Sequence, residues 1–465
     1  MYFPYLQAKS IMKKYNFKIK DLLFLALPLI FSNLINATSG LISMYFLSQI
    51  NTNALAAGAI ITSTYGLIVM VVISMLYSVS IMVGKMQGSD QHNEIGSIVF
   101  AGIMIATVIG IPLTAIMFYM DAVFELLGQS HAISVLACKY FEGTAIGFIP
   151  SLIGAVYMQL FMGISRTKII LYITFFGIFI NSALSYACIF GYGSIPPMGM
   201  FGAGLANSIT AYILLIMTVA FTMLSPIFNK YQLFNYEALK LKYIPILLKI
   251  GTPISIQYSA EILGFSVLTY LMGIIGIDAL GAQQIALQCS MIGIMIIMAI
   301  SQSGSILVSQ AFGQSDITSI NKIANSAFLL GTLFMLVIGM VYWFFPMTLI
   351  ALYLDVNNPA LNNTIYLTKT ILSIAAFTQL FDGGRNVAAG LLRGSGDTKS
   401  SMWTGIVSCW FIGIPAAIVF GFLLHFGAPG IRFGMLLGIL LGCINLVYRF
   451  YAMNRSEPSE LAYAK

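Results

Sequence analysis

The chain carries one pattern twice: Gly163-Ile-Ser-Arg-Thr-Lys168 is matched by Gly394-Ser-Gly-Asp-Thr-Lys399, 231 residues further on. Nearer the start of each copy, Pro28 corresponds to Pro253 at an offset of 225 residues. Two copies that run in the same direction indicate a parallel internal repeat, an architecture in which transporters hold substrate between two similar halves. The sequence therefore predicts a protein built from two related halves.

The segments around these landmarks are strongly apolar. Hydrophobic residues make up 59% of the 465 residues and charged residues only 8%, whereas soluble domains carry about 25% charge. A helix needs about 20 apolar residues to cross a bilayer. The predicted spans are Leu22–Leu47, Ala54–Val83, Ile95–Met120, Ile133–Ile164, Ile169–Phe190, Met200–Leu224, Ile244–Ile275, Ala279–Phe312, Ile323–Phe345, Leu361–Leu392, Met402–Leu424 and Ile431–Tyr451. The predicted fold class is all-α and integral to the membrane, with twelve transmembrane helices.

The breaks between these runs divide the chain into five segments. Residues 22–224 and 244–452 are the predicted N-lobe and C-lobe, with six spans each, and residues 225–243 are a polar linker between them. Residues 1–21 and 453–465 are the predicted tails. Because both lobes contain an even number of spans, the two tails and the linker are expected on one side of the membrane.

The loop charges predict which side that is. Lysine and arginine, Arg393 among them, flank mostly the termini and the even-numbered connections, whereas Asp121 and Glu125 lie on the other side and Arg432 is an exception. By the positive-inside rule both termini are cytoplasmic, as in a multi-pass protein of the plasma (inner) membrane. The basic residues are dispersed over short loops, so the net charge of +7 does not indicate a nucleic-acid partner.

Two acidic residues lie deep inside predicted spans, Glu261 in the seventh and Asp382 in the tenth. A charge at this depth costs about 2.5 to 3.5 kcal/mol on insertion scales, so each of them needs a reason. We interpret both as cation sites that face a central cavity and bind the coupling ion or the drug. The structural alternative is that Arg385 pairs with Asp382 while hydroxyls of neighbouring helices hold Glu261. The residues that helical spacing places beside one acid or the other are Gln257, Tyr258, Thr378, Arg385 and Asn386.

The repeat indicates that the two halves differ in charge. Glu261 corresponds to Asn36 and Asp382 to Ser151, so ion coupling is expected in the second half. Gln284 and Gln288 in the eighth span offer amide oxygens to a cation, or bind a neighbouring helix. The scattered histidines and cysteines predict no structural metal. The sequence contains no ATP-hydrolysis motif, so we expect transport to be driven by an ion gradient. We expect no cofactor, and we do not expect the protein to be an enzyme.

Three further stretches carry a resemblance: Leu25-Ala-Leu-Pro28, Gly281-Ala-Gln-Gln-Ile-Ala-Leu287 and Ala389-Gly-Leu-Leu-Arg-Gly-Ser-Gly-Asp-Thr398. With the six-plus-six repeat, they make the chain resemble the multidrug and toxic compound extrusion (MATE) family, in its NorM-like branch. The resemblance implies two six-helix bundles around a V-shaped cavity, and export of organic cations and drugs by antiport with Na⁺ or H⁺. Its implied partners are these small molecules and membrane lipid, and the expected working unit is a monomer.

The resemblance also implies roles for particular residues. Glu261 and Asp382 look like the acids that NorM-like proteins use for cation coupling and drug binding, with Na⁺ bound transiently. Asn36 and Asn181 are expected to be supporting residues of the cavity. The first-helix acid of many bacterial members falls on Ser43, and a polar pair of the fifth helix falls on Asn181 and Ser185. A cation site in the first lobe is therefore in doubt. Arg385 can itself occupy the place of a coupling ion beside Asp382.

Two other functions are weighed against this one. A major-facilitator antiporter also has twelve spans and a parallel repeat, but Gly84-Lys-Met-Gln-Gly-Ser-Asp90 lacks the arginine-rich signature of that family. A flippase for lipid-linked precursors would be expected to line its cavity with cations that bind phosphates, whereas the deepest charges here are mostly acidic.

Overall fold

The structure, a computed structural model, describes residues 19–193, 195–234 and 240–455. Twelve helices in that part of the chain are long and apolar enough to cross a membrane, which confirms the predicted fold class. The predicted tail residues 1–18 and 456–465, and residues 235–239 of the predicted linker, lie outside the described residues. We number the helices α1 to α12: Ile19–Ser48, Thr52–Gly88, Ile95–Met117, His131–Gly163, Thr167–Phe190, Gly199–Leu224, Tyr243–Ile275, Ile277–Gly313, Ile317–Phe344, Asn362–Gly394, Thr398–Leu423 and Gly427–Arg455.

The predicted spans match these helices with small differences at the ends. The largest correction is at α9, which begins at Ile317 rather than at Ile323. Asp316 caps this helix, because its carboxylate accepts a hydrogen bond from the backbone nitrogen of Ser319 at 3.2 Å. Asp397 caps α11 in the same way. A capped helix starts with a polar turn that hydropathy assigns to the loop, so the apolar run alone begins too late.

α11 is the least regular of the spans. It contains two wide, π-type stretches, Val407–Gly413 and Val419–Leu423, on either side of Ile414–Ile418. Such wide turns are often found at functional sites. Trp410 in the first stretch donates a hydrogen bond from Nε1 to the carbonyl oxygen of Ala260 in α7 at 2.9 Å. This bond attaches α11 to the middle of α7.

The two halves of the molecule meet where α2 and α8 end. A Cβ atom on Gly88 would lie 2.0 Å from the carbonyl oxygen of Gln310, and one on Gly313 would lie 2.2 Å from that of Lys85. The pairs 85/310 and 88/313 are each 225 residues apart. The contact is therefore made twice, in the reciprocal manner of a two-fold axis. We call this end of the molecule the closed end.

Two hydrogen bonds extend the contact between the halves away from the closed end. Asn33 of α1 donates to the carbonyl oxygen of Met295 in α8 at 3.3 Å, and Ser255 of α7 donates to that of Val71 in α2 at 2.8 Å. The twelve spans thus form two sets of six that are in contact through these helices.

Candidate functional site

One arginine bridges two carboxylates between α7 and α10. Arg385 donates from Nη1 and Nη2 to Oε1 and Oε2 of Glu261 at 2.5 and 3.2 Å. It also donates from Nε and Nη2 to Oδ1 of Asp382 at 3.0 and 2.7 Å. Asp382 and Arg385 share a face of α10 because they are three residues apart, and the planar guanidinium matches carboxylates in this two-pronged way. We call Glu261, Asp382 and Arg385 the triad.

Neutral side chains hold the two carboxylates from behind. Gln257 donates from Nε2 to Oε1 of Glu261 at 3.0 Å, and its own Oε1 accepts a bond from Ser401 at 2.7 Å. Asn386 donates from Nδ2 to Oδ2 of Asp382 at 3.0 Å. All four carboxylate oxygens of the triad therefore accept at least one hydrogen bond. This arrangement fixes the orientation of both acids.

The triad is buried because neighbouring helices come close to it. A Cβ on Gly405 of α11 would lie 3.1 Å from Oε1 of Glu261, and one on Gly442 of α12 would lie 3.3 Å from Cδ of Arg385. The side chains of Arg385, Glu261 and Asp382 are only 5%, 12% and 13% exposed. Two carboxylates and one guanidinium leave the triad with a formal charge of −1.

A second arginine lies on the same side of α7. Arg393 donates from Nη1 to the hydroxyl of Tyr258 at 2.9 Å and from Nη2 to Oε1 of Gln257 at 3.5 Å. Its guanidinium carbon is 4.9 Å from the centre of the Tyr258 ring, within the range of a cation–π contact. Tyr258, at 5% exposed, thus packs against an arginine rather than presenting a free ring to the cavity. The four charges of Glu261, Asp382, Arg385 and Arg393 sum to zero.

The first half of the molecule contains a cavity of about 530 Å³, lined by residues of α1, α2, α4, α5 and α6 together with Gln302 of α8. Asn36 and Asn181, both predicted as supporting residues, are among those that line it. Asn181 donates from Nδ2 to Oδ1 of Asn207 at 2.7 Å, and Asn207 donates to the hydroxyl of Tyr140 at 2.6 Å. None of the described lining residues carries a formal charge. We call this space the N-lobe cavity.

Other predicted residues do not join the triad. Gln284 and Gln288 are exposed on α8. Thr378 donates its hydroxyl hydrogen bond to the carbonyl oxygen of Ile374, one turn back in its own helix, at 2.9 Å. Ser43 and Ser185 line a separate space of about 280 Å³ in the first half.

The burial of two arginines corrects what the sequence predicted for them. Arg393 was expected to flank a loop as a topology marker, but it is 4% exposed within the last turns of α10. Arg432 is also 4% exposed, in α12, and donates from Nε to Oε1 of Gln283 at 2.7 Å. Arg432 is therefore no longer an exception to the distribution of basic residues over the loops, because a buried arginine carries no information about loop orientation. The repeat offered one indication that Arg393 is buried, since Arg393 corresponds to the apolar Met162 inside α4.

Comparison with known proteins places this architecture in a family. The family model described as MatE matches residues 28–187 and 253–419. The chain is 29% identical to "Probable multidrug resistance protein NorM" of Rhizobium meliloti, over 93% of both chains. It is 26% identical to "Multidrug resistance protein NorM" of Burkholderia vietnamiensis, again over 93% of both.

Solved structures share the fold. A eukaryotic MATE transporter superposes with a TM-score of 0.82 at 17% identity, covering 95% of this chain and 98% of its own. A multidrug resistance MATE family transporter in an outward-facing conformation superposes with a TM-score of 0.84 at 14% identity, over 96% of both chains. The major-facilitator alternative is therefore wrong. The chain belongs to the MatE family, whose members are transporters and not enzymes.

Proposed function

We propose that this protein exports organic cations and drugs by antiport with Na⁺ or H⁺, and that the triad couples the two movements. The names of its relatives, multidrug resistance proteins of the NorM type, support the substrate class. The observation that carries the proposal is the pair of buried carboxylates bridged by Arg385. Intramembrane acids are costly and mark ion pathways, so their presence in an apolar bundle supports a role in coupling.

The hydrogen bonds of the triad define what the coupling ion has to do. Every carboxylate oxygen already accepts a donor. A Na⁺ ion therefore has to share these oxygens with their present donors or displace Arg385 from one carboxylate. A proton on Asp382, by contrast, leaves the two-pronged pair of Arg385 and Glu261 in place. Either ion cancels the charge of −1, and we propose that the neutral triad permits return to the inward-facing state.

The N-lobe cavity is the proposed place for the drug. Its amide and hydroxyl groups, including Asn36 and Asn181, offer hydrogen bonds without a fixed charge, which suits ligands of varied structure. Coupling then requires that ion and drug weaken each other's binding. Linkage makes the two effects equal, and a tenfold effect corresponds to about 1.4 kcal/mol.

We also propose the arrangement in the membrane. Residues 22–224 and 244–452 are two lobes that move about the closed end, and the protein works as a lipid-embedded monomer. The linker lies on the same side as the connection between α2 and α3, since Lys240 and Lys242 both pair with Glu94. The positive-inside rule makes this side, with both tails, the cytoplasmic face of the plasma (inner) membrane.

The direct test is Glu261→Gln, which removes the charge and keeps the shape. Efflux of a fluorescent organic cation from cells that express the variant should be lost, at an amount of protein in the membrane equal to wild type. Glu125→Gln is the matched control, because this acid is 46% exposed and pairs with His131 near a loop. Full efflux by Glu261→Gln would refute the proposal.

A further inference from the structure

A small pocket lies between the two halves, at a place where corresponding residues of the repeat come together. Tyr77 and Gln302 correspond at the offset of 225 residues, and Gln302 donates from Nε2 to the Tyr77 hydroxyl at 3.0 Å. Met162 and Arg393 correspond at the offset of 231 residues, and all four residues line the same pocket. Corresponding residues from both halves can meet only on the axis that relates the halves. Met162 faces Arg393 there, so the axis is apolar on one side and positively charged on the other.

Arg393 is a buried cation whose described partners are neutral. It is 4% exposed, and its hydrogen bonds go to the Tyr258 hydroxyl and to the amide oxygen of Gln257. Its Nε, also buried, has no hydrogen-bond partner among the described residues. Arg385 already holds both carboxylates of the triad with the nitrogens of its guanidinium. The charge of −1 on the triad balances Arg393 only through Gln257, without a direct ion pair among the described residues, so the unpartnered Nε leaves Arg393 capacity for one more acceptor.

The pocket adjoins the space proposed for the drug. Tyr77, Met162 and Gln302 line both the pocket and the N-lobe cavity. The pocket itself has a volume of only about 20 Å³, which is room for one water molecule or for one oxygen of an acid group. The body of a larger ligand would have to lie in the 530 Å³ cavity, whose described lining is uncharged. At this junction the fixed charge is therefore positive, not negative.

We propose that Arg393 is a substrate-binding residue that receives the carboxylate of zwitterionic or acidic drugs. The aromatic or cationic body of such a drug lies in the N-lobe cavity, and one carboxylate oxygen reaches the axial pocket. Arginine binds carboxylates well because its planar donors match their geometry. This inference rests on the proposed function and assigns to it a residue that determines specificity.

The test uses two dyes that differ in one group. A rhodamine with a free carboxylate and its methyl ester have the same ring body, and fluorescence anisotropy measures the dissociation constant of each with purified wild-type protein in detergent. The acid is expected to bind more tightly than the ester. Tighter binding of the ester by wild-type protein would overturn the proposal without any variant.

Two variants localise the effect. Arg393→Met copies the corresponding residue Met162, and it should lower the affinity for the acid relative to the ester at least tenfold, or about 1.4 kcal/mol. Arg393→Lys keeps the charge but loses the planar fork, so it should recover part of the ratio. Arg449→Gln is the control, because the substitution also removes one positive charge from the second half. Arg449 is 54% exposed and pairs with Asp397.

The outcomes separate this inference from the proposed function. An acid-to-ester ratio that stays within about threefold of wild type in Arg393→Met would refute the carboxylate site, even if both dyes are transported. Failure of wild-type protein to move either dye in vesicles would refute multidrug efflux itself. If Arg393→Met does not fold, the same ratio measured in Arg393→Lys decides the question together with the wild-type comparison.

Discussion

The two halves of the molecule use the same three positions in opposite ways. Glu261, Asp382 and Arg385 of the second half correspond to Asn36, Ser151 and Gly154 of the first. In the second half these positions form a buried ionic triad. In the first half all three line the N-lobe cavity, and a Cβ on Gly154 would meet nothing within 4 Å.

The difference shows how one scaffold divides two tasks. Where the second half carries the long side chain of Arg385, the first half carries glycine and leaves space for a ligand. These positions cannot both hold charged side chains and line an open cavity, because an ion pair inside a membrane protein has to be enclosed and hydrogen-bonded to be tolerated. The account therefore assigns ion coupling to the charged half and drug accommodation to the open half.

The largest expected effect comes from Arg385→Met, which breaks the triad. Two buried carboxylates would lose their shared counter-charge, and removal of one partner of a buried pair typically costs about 3 to 5 kcal/mol. We expect a strongly lowered unfolding temperature in detergent, measured by intrinsic fluorescence. Adding Glu261→Gln and Asp382→Asn should restore most of the stability without restoring efflux. If Arg385→Met alone is as stable as wild type, the three residues of the triad do not stabilise one another.

The opposite change, Gly154→Leu, fills the first half. A Cβ at this position would meet nothing within 4 Å, so we expect the leucine to extend into the cavity and the fold to keep its stability. Binding of a cationic dye should weaken at least tenfold, about 1.4 kcal/mol. Isothermal titration with purified protein measures the change, and Gly273→Leu in α7, where a Cβ also meets nothing within 4 Å, is the control because this residue does not line the N-lobe cavity. Unchanged dye binding would mean that the drug does not occupy the N-lobe cavity.

A charge transplant would reduce the contrast between the halves. Asn36→Asp introduces into the cavity an acid at the position that corresponds to Glu261. Because residue 36 is exposed, solvent screens the new charge, and we expect cationic dyes to bind only about fivefold more tightly, or about 1 kcal/mol. The same dye titration measures the gain, which should decrease with added salt. A neutral dye of equal size should show no gain, and an equal gain would contradict the electrostatic explanation.

The smallest expected effect is that of Asn181→Ala. This change removes the bonds that Asn181 donates to Asn207 and to the hydroxyl of Thr210, both inside a neutral network of the protein, so we expect only about 0.5 kcal/mol of it to reach the bound dye. We expect dye affinity to fall by only a few fold, while the dependence of transport on the ion gradient stays as in wild type. Transport measured at several pH values checks this, and a changed pH dependence would move part of the coupling into the first half.

Much of the scaffold could be predicted from the sequence. The twelve spans follow from hydropathy, and the helical period placed Arg385 and Asn386 on the face of Asp382, where both contact it. The period of one helix does not reveal which neighbour that face meets. The bond from Arg385 to Glu261 joins residues 124 positions apart, so it depended on the tertiary arrangement that brings long side chains of α7 and α10 within reach of each other.

Burial explains the failures at other residues. Arg393 lies next to a loop in the sequence, and its burial follows from the contact between the halves at the axis. Gln284 and Gln288 share a helix with the buried Gln283, yet of these three only Gln283 has a hydrogen-bond partner among the described residues, Arg432. The sequence alone cannot rank three neighbouring amides, because tertiary contacts decide which of them is enclosed.

The most direct test of the central claim is uptake of a fluorescent organic cation into vesicles that contain purified protein, with a sodium gradient and a pH gradient imposed separately. The account predicts that one gradient drives uptake by wild-type protein and that the same gradient has no effect on Glu261→Gln. Uptake that responds to neither gradient, or an equal response of both proteins, would contradict coupling at the triad, and a lipid-linked precursor flippase would become the better explanation.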